Sequence, residues 1–199
     1  PLGALRNDIQ SSRLADTTMG KRSRDNNVLP PAVGSITPLA SKSIPDRFML
    51  HLDEAGSFLV VRSPAVTVGR VSRSRPVDIA LQSQPGLPQV TIERIDDDYF
   101  LNSEQPLPVN GKQTTNTLLN NGAQMRLGRR GVLEFATPNA ASTSATLDLR
   151  GIKMGNGHIR RVIMMDQDLV IGPQSSAHIR CPSMEQARVL HYRDGELRI

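Results

Sequence analysis

From Phe48 onward the chain changes character. Phe48, Leu50 and Leu52 alternate with Met49 and His51, and Ala55-Gly56 then leads into the apolar run Phe58-Leu59-Val60-Val61. A period of two interrupted at a glycine predicts a strand, a turn and a second strand. Short β-type runs follow at residues 66–68, 77–81, 90–95, 99–101, 124–127 and 132–135, parted by Gly, Pro, Asn and Asp. No long helical periodicity interrupts them, so the expected class is all-β, a sandwich of short antiparallel strands over residues 48–137. Residues 1–47 are rich in Ser, Asp, Asn and Thr and are punctuated by Pro30, Pro31, Pro38 and Pro45, which predicts a flexible arm. A short helix over residues 5–14 would have no apolar stripe.

The pattern then starts again. Residues 138–144 are small and polar and read as a linker; beyond them Leu147-Asp148-Leu149 echoes Leu50-His51-Leu52, and Val162-Ile163-Met164-Met165 echoes Phe58-Leu59-Val60-Val61. Leu169-Val170-Ile171-Gly172 echoes Val66-Thr67-Val68-Gly69, and Ala177-His178-Ile179-Arg180-Cys181 echoes Val77-Asp78-Ile79-Ala80-Leu81. Gln186-Ala187-Arg188-Val189 matches Gln89-Val90-Thr91-Ile92, and Asp194-Gly195 matches Asp97-Asp98. Residues 145–199 are therefore expected to form a partial second unit. Nothing in it corresponds to residues 109–135. That gap, with a first residue other than Met, predicts a fragment of a longer tandem protein rather than a half-unit padding the first.

Composition narrows the function. The sequence has 199 residues, only six aromatics and no Trp, so a platform of rings for stacking bases is lacking. The net charge of +5 invites a nucleic-acid reading, but its distribution weakens it. Residues 1–47 carry seven Lys or Arg against four Asp or Glu, residues 48–140 nine of each, and residues 141–199 eight against six. No apolar stretch approaches the roughly 20 residues of a membrane span, and the N-terminal residues lack a secretory pattern. Cys181 is the single cysteine and fits a reducing, cytoplasmic setting as a small buried hydrophobe. The four histidines (His51, His158, His178, His191) have no Cys or His partner at zinc-ligand spacing, Asp96-Asp97-Asp98 reads as a turn, and no nucleophile elbow or Walker loop occurs. The expectation is a non-catalytic protein with no cofactor, no metal and no small-molecule substrate.

The positive signal lies in the order of four motifs: Val66-Thr67-Val68-Gly69-Arg70, then Asp78-Ile79-Ala80-Leu81, Val109-Asn110-Gly111-Lys112, and Leu118-Leu119-Asn120-Asn121-Gly122 followed by Gln124-Met125-Arg126-Leu127-Gly128. In this order they resemble a forkhead-associated (FHA) domain, a β-sandwich that recognises phosphothreonine peptides through loops at one end. The resemblance implies that Arg70, after Gly69, supplies a planar fork of donors to phosphate. It also implies a Ser and a His where Gly86-Leu87-Pro88-Gln89 stands, and an Asn-Gly where Gln105-Pro106 stands. One of three contact elements therefore remains in the first copy. In the second, Gly172-Pro173 lacks the Arg, while Ser183-Met184-Glu185-Gln186 keeps a Ser. A phosphate held by one Arg and few neutral donors forgoes roughly 2–4 kcal/mol of charge-assisted hydrogen bonding. Asn110-Gly111 and Asn121-Gly122 read as tight turns needing positive φ.

Arg73 and Arg75 share the loop with Arg70, so three guanidiniums could surround one anion. The candidate ligand-binding residues are thus Arg70, Arg73, Arg75 and Ser183, and the candidate structural turns Gly69, Asn110, Gly111, Gly122 and Gly172. The expected partner is a protein or phosphoprotein, with phosphothreonine recognition weakened or lost. The alternative is an anionic surface or nucleic acid held by the basic arm and the arginine loop. Thr37-Pro38 is a phosphorylation motif that Arg70 could read in cis.

Overall fold

A computed structural model describes residues 44–82, 86–155 and 157–199. The Thr37-Pro38 motif, the helix considered over residues 5–14, and all of the expected arm but residues 44–47 lie outside them. Fifteen strands and no helix make up the described residues, so the protein is all-β there. In chain order they are β1 (Arg47–Leu52), β2 (Gly56–Val61), β3 (Ala65–Arg70), β4 (Ile79–Leu81), β5 (Val90–Ile95), β6 (Asp98–Val109), β7 (Lys112–Leu118) and β8 (Gln124–Leu127). Then come β9 (Gly131–Ala136), β10 (Ala145–Arg150), β11 (Arg161–Met164), β12 (Asp168–Gly172), β13 (Ile179–Arg180), β14 (Arg188–Arg193) and β15 (Glu196–Arg198).

Eleven strands form one sheet in the order β1-β2-β11-β10-β9-β8-β6-β5-β3-β4, with β7 paired to β6 alone. Inward positions of period two (Val66 and Val68, Val90 and Ile92, Met125 and Leu127, Leu133 and Phe135) are buried together in a first core. Tyr99 belongs to that core. Its ring lies tilted against Phe135 with centroids 5.0 Å apart, and its hydroxyl donates to the Thr143 carbonyl at 2.6 Å. Burial pushes this phenol well above its usual range, with Arg94 partly opposing.

The other four strands form a sheet ordered β13-β12-β14-β15. β12 pairs β13 in parallel and β14 antiparallel, and β14 pairs β15 antiparallel. β3, β4, β5 and β6 show the same three pairings. Ile171 sits opposite Ile179 as Val68 sits opposite Ile79. The repeat seen in the sequence is thus a repeat of topology. One detail shifts by a residue: Arg193 and Glu196 flank Asp194-Gly195 as Ile95 and Asp98 flank Asp96-Asp97, so Asp194 matches Asp96. Both have φ of 54°. The two-residue turn, and not the Gln89 and Gln186 similarity, sets the register.

The hairpins β1–β2 and β10–β11 also correspond, with Leu50 opposite Phe58 and Leu147 opposite Val162. They are exchanged between the copies. Leu147 and Val162 of the second copy fill the first core, whereas Phe58 and Leu50 of the first copy pack in or against a second core with Leu169, Ile171, Ile179, Cys181 and Leu190. β2 and β11 lie side by side in parallel and are buried on both faces: Leu59, Val61, Val162 and Met164 face the first core, Val60, Ile163 and Met165 the second. Residues on both sides of the 138–144 segment therefore share one sheet.

That segment is itself well bonded. Ser144 is fully buried, donates to the Asp168 carbonyl at 2.6 Å and accepts the Asp166 amide at 2.9 Å. Thr143 donates to Asp166 Oδ2 at 2.6 Å, and Arg94 of β5 reaches Asp166 Oδ1 at 2.7 Å.

Candidate functional site

β3 pairs in parallel with β4, so residues 71–78 must cross over from one strand end to the other start. Two sets of side-chain bonds fix this loop. At its base Asp78 Oδ2 accepts the Thr67 amide at 2.8 Å and the Thr67 hydroxyl at 2.7 Å, while the Asp78 amide donates back to Thr67 Oγ1 at 3.0 Å. At its tip Ser72 Oγ accepts the amides of Ser74 and Arg75, each at 3.3 Å. Arg73 and Arg75 project from this loop, whereas Arg70, expected on the same loop, is the last residue of β3 and stands opposite Leu81 of β4; all three are exposed. Among the described residues one acidic group approaches them: Glu104 Oε1 lies 4.0 Å from Arg75 Nη1, both side chains largely in solvent. At that exposure the pair contributes little.

Beside the loop lies a shallow cleft of about 390 Å³ lined by Gln89, Thr91, Asn102, Ser103, Glu104, Thr115 and Asn116. Strand register explains its composition. Thr67, Thr91, Asn102 and Asn116 stand opposite one another in turn across β3, β5, β6 and β7 on the sheet's outer face. The Asn116 amide donates to Asn102 Oδ1. Above this row β6 loses its register with β7 between Asn102 and Leu107, and Ser103 Oγ donates there to the Gln105 carbonyl at 2.8 Å. Gly69 joins the loop to the cleft: a Cβ on it would lie 3.4 Å from Gln89 Cγ, so Gln89 folds over the strand just before Arg70.

Asn110 and Gly111 form the β6–β7 turn, with φ of 50° and 83°. Asn110 Oδ1 accepts the Gln124 amide at 2.9 Å and ties the hairpin to β8. Gly122, at φ 83°, donates to the Phe135 carbonyl in the turn before β8. Gly172 ends β12 under close backbone approach, and Ser183 is exposed in the connection from β13 to β14. The structure thus brings Gly69, Arg70, Arg73 and Arg75 to one end of the first copy, and Ser183 belongs to the other sheet. The polar cleft residues Thr91, Asn102, Thr115 and Asn116 escaped sequence reasoning. Its signal was the wholly polar run 112–117 after Asn110-Gly111, which has no alternation to mark a strand.

His178 is fully buried. Its Nδ1 accepts the Val170 amide and its Nε2 donates to the Ser144 carbonyl, both at 3.0 Å. Among the described residues no three His, Cys, Asp or Glu side chains gather closely enough to hold a metal ion, and no helix is long and apolar enough to cross a membrane. Comparison of the chain with family models, curated proteins and solved structures finds no match.

Proposed function

We propose that this chain is a protein-interaction module of the forkhead-associated type, without catalysis, whose arginine loop docks an acidic or phosphorylated segment of a partner protein. One observation carries the reading: Arg70 at the end of β3, and Arg73 and Arg75 on the following loop pinned by Thr67, Asp78 and Ser72, stand exposed next to a cleft of amides and hydroxyls that also holds the Glu104 carboxylate. Guanidinium groups held on a pre-ordered loop lose little entropy when they close on an anion. The cleft adds donors and acceptors suited to the backbone of an extended peptide, and it carries no aromatic ring to stack on a base. Gly86 stands where the resemblance expects a Ser donating to phosphate, Gln89 where it expects a loop-bracing His, and Gln105 where it expects an Asn bonding the peptide backbone, so the expected affinity is modest.

The test is retention of a degenerate phosphothreonine peptide library beside the same library unphosphorylated. Phosphopeptides should be held, and Arg70→Ala should weaken binding roughly tenfold, as for one charge-assisted contact. Equal retention of both libraries, or retention unchanged in Arg70→Ala, refutes phosphate reading by this loop. A steep loss of binding with salt together with capture of unrelated polyanions would instead favour a general anionic-surface binder.

A further inference from the structure

We infer that the outward edge of β1 accepts an extended polypeptide strand from a separate partner protein by antiparallel addition. The two copies themselves make the case. Among the described residues β10 is paired on both sides, by β9 and β11, whereas its counterpart β1 is paired only by β2. β6 has β5 on one side and β7 and β8 on the other, whereas its counterpart β15 is paired, among the described residues, only by β14. Burial follows the pairing. Ala145, Leu147, Leu149 and Tyr99 are buried; Phe48, Leu50, Leu52 and Leu197, at the same four places around the second core, are only partly covered. The β9–β10 interface of the first copy therefore shows what fits the β1 edge. It is a strand whose alternate residues are apolar, as Leu133 and Phe135 are opposite Leu149 and Leu147.

The edge has the chemistry to take such a strand. Arg62 donates its amide to the Asp46 carbonyl, which extends the β1–β2 ladder. The alternation of an antiparallel pair then leaves the backbone N–H and C=O of Arg47, Met49 and His51 directed away from β2. There is room beside them. A slot of about 530 Å³ runs along this edge, with Met49, Leu59, Met154 and Ile159 as its apolar lining. Arg47 stands at one end, its Nη1 donating to the Asp78 carbonyl at 3.0 Å. Apart from Arg47 at its start, no lysine or carboxylate, no proline and no bulge blunts β1, and such features are the usual guards of an open edge. An added strand would set one row of side chains on Phe48, Leu50 and Leu52 and the other in the slot against Met49.

The probe is a fluorescent, capped peptide with the sequence of residues 130–138, the strand that covers β10. By the repeat its Phe135 falls opposite Leu50 and its Ala136 opposite Met49. It should bind the chain saturably and slow hydrogen exchange at the amides of Met49 and His51. Met49→Pro removes an outward donor and no bond to β2, and should weaken binding at least about tenfold. N-methylation of the peptide at Ala136, whose amide faces the edge, should do the same, and at Phe135, whose amide faces away, should not. The peptide pair leaves the protein untouched, so the test stands even if Met49→Pro folds poorly. Absence of binding at millimolar peptide, equal effects of the two N-methyl groups, or protection at strands other than β1 would overturn the inference. So would self-association of the chain that Met49→Pro abolishes, because the edge would then belong to a second copy.

Discussion

Gly69 and Gly172 hold the same position in the two copies, and their surroundings differ enough to predict opposite tolerances. A Cβ on Gly172 would lie 2.9 Å from the Ala187 Cα, a backbone atom with nowhere to go, and 2.8 Å from Gln174 Oε1. A Cβ on Gly69 meets first the Gln89 Cγ, at 3.4 Å, and that side chain can turn aside. Gly172→Ala should therefore cost about 1–3 kcal/mol in a urea melt, while Gly69→Ala should stay within about 1 kcal/mol of the parent. A residue-scale pH effect centres on His178. Burial lowers its pKa from 6.5, the Arg161 charge adds to that, and the Ser144 carbonyl and Asp168 oppose it. The native state then holds a neutral ring while the unfolded chain takes up a proton near pH 6.5, so acid favours unfolding. Stability attributable to His178 should be complete above about pH 6.5 and should decline as pH falls from there through the depressed native value. Urea midpoints across pH 5–8 for the parent and for His178→Gln would check this. The variant should be less stable but flatter, and parallel curves would exclude His178 as the source.

At the scale of elements, the alternating runs around Leu50, Val66, Ile92 and Leu133 named their own strands, because a face buried in one core forces a period of two. β7 did not. Its residues pair only with β6 and lie mostly in solvent, so nothing selects apolar positions in Lys112–Leu118. β6 also runs longer than residues 99–101 suggested, through Pro106 and Pro108, which fall at and beyond the irregular register where a missing N–H costs little. The arginine loop was legible from Gly69-Arg70 and its neighbours. The cleft was not, since Thr91, Asn102 and Asn116 come together only through cross-strand register. Ser144 shows the same limit. In sequence it is one more small residue of a linker; in the fold its buried hydroxyl bonds two partly buried backbone groups. Ser144→Ala should destabilise by about 1–3 kcal/mol, the cost of leaving the Asp166 amide and Asp168 carbonyl without that partner. Half-buried Ser72, at the loop tip, should on change to Ala alter stability by less than about 0.5 kcal/mol while loosening the arginine loop. A matched pair of denaturation curves distinguishes the two roles.

Across the whole molecule, the exchange of hairpins decides what can fold alone. Sequence repetition divides the chain near residues 138–144, yet eight buried members of the first core come from beyond that point: Ala145, Leu147, Leu149, Ile152, Met154, Ile159, Val162 and Met164. Burying a Val, Leu, Ile or Met side chain contributes about 1.5–3 kcal/mol, and a domain's entire stability is about 5–15 kcal/mol. A fragment ending at residue 137 would lose more than that margin, and β2 and β9 would each be left with an open edge. The second core has the converse dependence, because Phe58 and Val60 of β2 lie inside it and Phe48 and Leu50 of β1 pack against it. Residues 44–199 should accordingly melt in one cooperative transition, coincident by far-ultraviolet circular dichroism and by the hydrogen exchange of amides in β5 and β12. The fragment 44–137 should show collapsed amide dispersion and no cooperative transition. Should that fragment instead unfold cooperatively within about 1 kcal/mol of the longer chain, the β10–β11 hairpin would be a cover on a self-sufficient first unit. The pairing of β2 with β11 would then bring two independently stable folds together rather than complete each one.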